Sequence, residues 1–226
     1  HRTPAATAAV RRADVVIGYG PYLDQCADVL TFQEQLRSPI GDEVVRAKQA
    51  LAEAAAGRRV AMVCSGDAGV YAMASIVLEL AEGEDVDIEV VPGVTAALAS
   101  AAVLGAPLGH DHSSVSLSDL LTPWEAIERR LRSVAEADFV VSLYNPRSKG
   151  RDWQLPRALE LLAAHRPATT PVGIVTDAGR ADQRVVLTTL AAVDPTVVGM
   201  TSCVVVGAST TRLVNGRMVT PRGYAP

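Results

Sequence analysis

Apolar positions along this chain follow two alternating rhythms. Short runs of Val, Ile and Leu read as buried strands. Longer stretches in which Ala, Val and Leu return every three or four residues read as helices. The pattern predicts helices over 5–13, 42–56, 70–82 and 95–104, strands over 14–18, 60–64 and 88–91, and a loop with a short helix over 19–30. The first helix opens on Thr3-Pro4, a cap and first-turn pair. The second opens on Gly41-Asp42 and ends before Gly57. Strands that alternate with helices in this way build a parallel sheet.

Past Ala106-Pro107-Leu108-Gly109, which reads as a hinge, the rhythm changes. Strands are predicted over 114–118, 139–144, 172–176, 185–190 and 202–207, with helices over 124–135 and 155–164. Two last strands, 213–214 and 217–219, flank Asn215-Gly216, a strong hairpin turn. The fold class is therefore α/β with two domains. Residues 1–108 form an N-terminal parallel sheet with helices, and 109–226 form a C-terminal mixed sheet with helices and an antiparallel edge. The active site is expected in the cleft between them. No internal repeat or low-complexity segment interrupts the pattern.

Composition narrows the partners. The 226 residues are 49% hydrophobic and 20% charged, which suits folded domains with real cores. A net charge of −4 offers no broad field for nucleic acid. No apolar run reaches the roughly 18–20 residues that span a bilayer, so no membrane partner is expected. The opening His1-Arg2-Thr3-Pro4 has no signal-peptide pattern. Cys26, Cys64 and Cys203 are odd in number and far apart, which fits reduced thiols in the cytoplasm better than disulfides or zinc. Aromatic residues are only 4%, so small aliphatic side chains pack the core.

Candidate chemistry gathers where predicted strands end. SGDAGVY (65–71) follows the 60–64 strand, and PGVTAA (92–97) follows the 88–91 strand. Such Gly-rich turns bring backbone N–H groups close to a ligand. Gly18-Tyr19-Gly20 lacks the third glycine of a dinucleotide fingerprint, and no Gly-Lys-Ser/Thr phosphate loop is present. Asp67 instead offers a carboxylate for an ammonium or hydroxyl group. Thr95, opening a helix, offers a hydroxyl and free N–H groups for a carboxylate. Alternatively, both are helix N-caps.

Farther along, His110-Asp111-His112 places two imidazoles on one strand face, but no third ligand stands at a telling distance, and no metal is expected. Asp111, Ser116, Ser118 and Asp119 form a polar cluster, with Ser114, Ser116 and Ser118 alternating against Val115 and Leu117. Ser118-Asp119 also reads as a helix cap, and Thr122-Pro123-Trp124-Glu125 as a helix start. The loop 145–151 is basic through Arg147, Lys149 and Arg151, and Arg180 follows a later strand. Each is either a solvated turn or an anion clamp. Cys64 and Cys203 lie in apolar strands and read as inert core residues.

The series SGDAGVY, VVPGVTAA (90–97), SLYNP (142–146), IVTDAGR (174–180) and MTSCVVVG (200–207) resembles the tetrapyrrole methyltransferases, which have a two-domain α/β fold of their own. Within that family, GHDHSSVSLSDLLTPWEAIERRL (109–131), with GYGPYLD, LYNPRSKGR and MVTPRGY, is similar to the precorrin-3B C(17)-methyltransferase branch of cobalamin biosynthesis. The resemblance runs through essentially the whole chain. It implies S-adenosylmethionine (SAM) as cofactor, a tetrapyrrole substrate methylated at carbon 17 with contraction of the ring, and a homodimer. It places SAM against Ser65, Gly66, Asp67, Val70, Thr95 and Ala96, with Asn145, Ala178, Thr201 and Ser202 closing over the adenosine. Arg147, Lys149 and Arg180 would hold the carboxylate arms. Asp119 is the favoured acid–base group, with Ser116, Ser118 and Asp111 beside it.

Two departures bear on this. The family opens on a strand and a Gly-Pro-Gly loop beneath the cofactor, whereas this chain starts at about the next helix, and Ala68 stands where the family often has Pro. A chain lacking that loop would hold SAM less tightly and lack a core strand. Uroporphyrinogen or precorrin-4 methyltransferases, and a non-catalytic SAM- or tetrapyrrole-binding module, are the alternative readings.

Overall fold

A computed structural model describes residues 2–224. The chain divides into two compact units, His1–Thr95 and Ala96–Pro226.

The first unit holds α1 (Pro4–Arg12), β1 (Val15–Tyr19), α2 (Gly20–Asp24), β2 (Glu34–Ser38), α3 (Glu43–Ala55), β3 (Val60–Val63) and α4 (Ala74–Leu80). Thr3 caps α1 by accepting the Ala6 N–H at 3.1 Å. The sheet is parallel in the order β2-β1-β3. Val15, Val16 and Ile17 of the central strand are fully buried. Gly18 lets the strands approach, because a Cβ there would lie 2.7 Å from Val63 Cγ2. The buried Arg46 of α3 donates from Nε to Ser38 Oγ at 2.7 Å and from Nη2 to Pro39 O at 2.9 Å, tying α3 to the end of β2.

Three expectations for this half are corrected. β2 was not predicted: its sequence Glu-Gln-Leu-Arg-Ser carries one apolar residue, and its ladder to β1 makes it a strand. Segment 88–91 forms no strand; it is apolar enough but pairs with no ladder among the described residues. The helix expected over 70–82 is confined to 74–80, because 67–73 turns first and Tyr71 sits at φ 51°.

The second unit holds α5 (Ala96–Leu104), β4 (Gly105–Ala106), β5 (His112–Ser116), α6 (Trp124–Glu136), β6 (Val140–Tyr144), α7 (Gln154–Ala163), β7 (Pro171–Thr176), β8 (Arg184–Thr189), β9 (Ser202–Val206), β10 (Arg212–Val214) and β11 (Arg217–Val219). A five-stranded mixed sheet runs β5-β6-β9-β7-β8, with only β5 and β6 parallel. Alternation along β9 assigns its two faces. Val204 and Val206 join Ile127, Leu131, Leu155 and Leu162 of α6 and α7, while Cys203 and Val205 join Leu104 of α5 and Met218 of β11. Gly173 leaves room for α5, since a Cβ there would lie 2.4 Å from Leu104 Cδ2.

The last strands form the expected hairpin, with Asn215 and Gly216 at φ 50° and 74°. The hinge reading is corrected. Gly105 and Ala106 pair in parallel with Met218 and Val219, so this stretch is a pinned strand. The two compact units divide at Thr95/Ala96, with α5 packed on β7 and β9, whereas the sequence reading set its boundary at 108/109.

Candidate functional site

In the first unit the turn after β3 and the segment 92–95 are in backbone contact. Gly66 stands at φ 79°, and a Cβ on Gly93 would lie 2.1 Å from Gly66 O. Asp67 joins the two. Its Oδ1 accepts the Gly69 N–H at 2.9 Å, and its Oδ2 accepts the Gly93 N–H at 2.9 Å. Asp67 therefore neither caps a helix nor stands uncommitted; it clips one glycine turn to the other. Ser65, Val70, Thr95 and Ala96 are half-buried, and Gly66 is exposed.

In the second unit the strand directions collect the remaining candidates on one sheet edge. β5, β6 and β7 end there, and β9 begins there. Asn145 and Asp177, just past β6 and β7, both have left-handed backbone, at φ 48° and 51°. Asn145 donates from Nδ2 to Ser116 Oγ at 3.0 Å, and Ser116 Oγ also accepts the Ser118 N–H at 3.2 Å. Thr201 O accepts the Asp177 N–H at 3.1 Å, and the buried Ser202 hydroxyl lies 2.7 Å from Thr176 Oγ1. Ala178 is half-buried beside them. Ser202 thus contributes internal support, and Thr201 has its carbonyl engaged.

Asp119 is half-buried and accepts from Gln154 Nε2 at 2.9 Å. It does not cap α6, whose start at Pro123 has no side-chain cap. The strand read over 114–118 stands at His112–Ser116, so Leu117 and Ser118 lie past its end; Val115 and Leu117 are buried in the core, Ser116 and Ser118 are half-buried and Ser114 is exposed. Asp111 separates from this group. It precedes β5 and lies near His110 Nδ1 at 3.3 Å. A strand of that length sets it roughly 15 Å from Ser116. Sequence proximity had merged the two ends of one strand.

Arg147 is half-buried, with its Nε enclosed and unpaired. It lines an open pocket of about 340 Å³ with Lys149, Asp152, Gly199 and Met200. Arg151 is buried and donates from Nη1 to Asn145 O at 2.7 Å, with Nη2 3.5 Å from Met200 Sδ. Burial pushes its pKa down, and the charge of Asp119 opposes that shift. Arg180 is exposed and pairs with Asp177 Oδ1 at 3.1 Å. Among the described residues, no group of three or more His, Cys, Asp or Glu is placed to hold a metal ion. Likewise, no helix among them is long and apolar enough to cross a membrane.

Two contributors escaped the sequence reading, while Arg151, read as part of the basic loop, fixes that loop through Asn145 O. Tyr144 ends the buried β6, and its hydroxyl accepts the Ala97 N–H at 2.8 Å, capping α5. Gln154 supports Asp119, and one signal could have found it: it shares the helical phase of the buried Ala158, Leu161 and Leu162, where a polar residue is out of place.

Residues 1–194 match the family model described as Tetrapyrrole (Corrin/Porphyrin) Methylases. The chain is 47% identical over 98% of its length to a Salmonella typhimurium protein named a probable cobalt-factor III C(17)-methyltransferase, covering 93% of it. It is equally 47% identical, over 99% of its length, to a Sinorhizobium precorrin-3B C(17)-methyltransferase, covering 91% of it. Among solved structures it resembles the methyltransferase CobJ, with a TM-score of 0.92 and 39% identity over 97% of this chain and 93% of that one.

Proposed function

This chain belongs to the tetrapyrrole (corrin/porphyrin) methylases, and from that premise we propose that it transfers a methyl group from SAM to carbon 17 of a tetrapyrrole of the precorrin-3B or cobalt-factor III kind, with contraction of the macrocycle. The observation that carries the reading is the near-full-length identity to two relatives named for that reaction.

The residues fit the cofactor. The 65–69 and 92–95 turns offer backbone N–H and C=O groups, with an exposed glycine for close approach. Their one carboxylate, Asp67, holds the turns in place. When bound, SAM supplies an already activated methyl group on its sulfonium, so orientation provides much of the rate. Asn145 and Ala178, with the carbonyls of their strand-end loops, are assigned to the adenosine.

Contraction asks more of the chain. A substrate hydroxyl must lose its proton as a ring carbon migrates, and Asp119 is assigned to take it. Ser116 and Ser118 hold the Asp119 loop through the Asn145 contact. Asp111 has no place in this step. Arg147, unpaired at Nε, and Lys149 are assigned to carboxylate arms. Arg180 is already paired to Asp177 and would share its charge.

The reading extends to a symmetric dimer in a reducing compartment. The exposed apolar side chains Val44, Val45 and Leu78 on α3 and α4 support the dimer, and the three free thiols support the compartment. Sedimentation showing only a 23.7 kDa species at micromolar concentration would count against the dimer.

The direct test offers SAM with either precorrin-3B or cobalt-factor III to the protein and to Asp119→Asn, and follows product mass and spectrum. A methylated, contracted product from the parent is expected, with strong loss in the variant. A product methylated at another carbon would overturn the assignment.

A further inference from the structure

Resting on Asp119 as the proton acceptor, we propose that Gln154 is the positioning residue that aims its carboxylate at the substrate. Gln154 opens α7 at 2% exposure, and its Nε2 donates to Asp119 Oδ2 at 2.9 Å. Its Oε1 is buried and accepts nothing. A half-turn of the amide would exchange these two ends. That rotamer would set the amide carbonyl against a carboxylate oxygen, lone pair against lone pair. The Asp119 contact thus selects the orientation and leaves a buried carbonyl unpaired as its consequence.

A residue serving packing alone would avoid that defect. The position shares the phase of Ala158, Leu161 and Leu162, where an aliphatic side chain fits without an orphan atom. What the amide adds is direction. It can only donate to Oδ2, and Oδ1 meets no donor among the described residues. The charged group that acts on Asp119 from the 145–151 loop is Arg151. Arg151 turns its N–H groups to Asn145 O and Met200 Sδ, so it does not compete for that oxygen. Oδ1 is left for a substrate hydroxyl.

The test compares Gln154→Met, Gln154→Leu, Asp119→Asn and the double variant Gln154→Met/Asp119→Asn. Unfolding midpoints are read in urea, and kcat and KM with precorrin-3B or cobalt-factor III and SAM. Gln154→Met removes the orphan carbonyl together with the bond to Asp119, so its urea midpoint should stay close to the parent's. Its kcat should fall by about tenfold with KM within about threefold, the signature of an interaction that matters at the transition state. Added to Asp119→Asn, it should cost nothing further. Gln154→Leu should behave alike and serves if the Met variant fails to fold. Parent-like kcat in a folded Gln154 variant, with Asp119→Asn impaired, would overturn the role of Gln154 and leave the base assignment standing. A parent-like Asp119→Asn would overturn both.

Discussion

Replacing Gly93 with alanine should force apart the two turns assigned to SAM. A Cβ at this position would lie 2.1 Å from Gly66 O, 3.1 Å from Gly66 C and 3.2 Å from Asp67 Cα. All three are backbone atoms, so no side chain can swing away. Relief needs an opening of roughly 1 Å, and overpacking of this kind costs about 1–3 kcal/mol. The same movement stretches the 2.9 Å bond from the Gly93 N–H to Asp67 Oδ2 beyond hydrogen-bonding range. A bond to a charged group contributes roughly 1.5–3 kcal/mol, and water recovers part of it in this half-buried turn. The net expectation is about 2–4 kcal/mol of lost stability. Affinity for the demethylated cofactor should fall by at least about tenfold, equivalent to roughly 1.4 kcal/mol.

Urea unfolding and calorimetric titration with S-adenosylhomocysteine measure the two effects. Gly20→Ala is the control, because the nearest atom to its added Cβ is 3.9 Å away and its φ is not left-handed. It should be neutral or slightly stabilising. If Gly93→Ala folds and binds like the parent, the turns do not work as a fixed pair and the cofactor assignment to them fails.

Tyr144→Phe should cost about 1–2 kcal/mol in urea, because it takes from the Ala97 N–H the buried acceptor seen at 2.8 Å; a neutral result would mean another group caps α5. Arg147→Leu should raise KM for the tetrapyrrole about tenfold, leave kcat within about twofold and keep the fold, since the Nε it removes is buried and unpaired. An unchanged KM would remove Arg147 from the clamp. Cys203 should resist iodoacetamide in the native state, because burial pushes its pKa up to about 11. Its folded pKa lies above the unfolded one, so its contribution to stability is intact below about pH 9 and is lost as pH rises toward 11. Rapid native labelling at pH 8 would contradict that burial.

Where local pattern and tertiary context agreed, the sequence could be read directly. β1, β3, β6, β7 and β9 are short, Val-rich and mostly apolar stretches, and the Asn215-Gly216 hairpin carries its own turn chemistry. The failures share one physical cause. β2 has one apolar residue and exists through its ladder to β1, while 88–91 has the residues of a strand and pairs with nothing among those described. Gly105-Ala106 looked like a hinge because its partners, Met218 and Val219, are remote in sequence. The site divides the same way. Strand ends placed Ser116, Asn145, Ala178 and Ser202 on one edge, as the parallel and antiparallel order requires. Asp111, read with them as one polar cluster entering the second domain, precedes β5 and so lies at its opposite end.

The two units use their polar groups differently, and this bears on where selectivity resides. In the first, the carboxylate at the glycine turns is engaged by Gly69 and Gly93. On the proposed reading, recognition of SAM there falls to the backbone, which any sequence keeping the turns can supply. In the second, Asp119 keeps one oxygen uncommitted, Arg147 keeps an unpaired Nε, and Lys149 is exposed. Side chains with hydrogen-bonding capacity left over are what distinguish one arrangement of acetate and propionate arms from another. A methyl donor common to a family needs only the first kind of surface. A choice of ring carbon needs the second. The loops 118–121 and 145–151 are therefore where methylases of different regiochemistry should differ in physical character, while the 65–69 turn stays the same in kind.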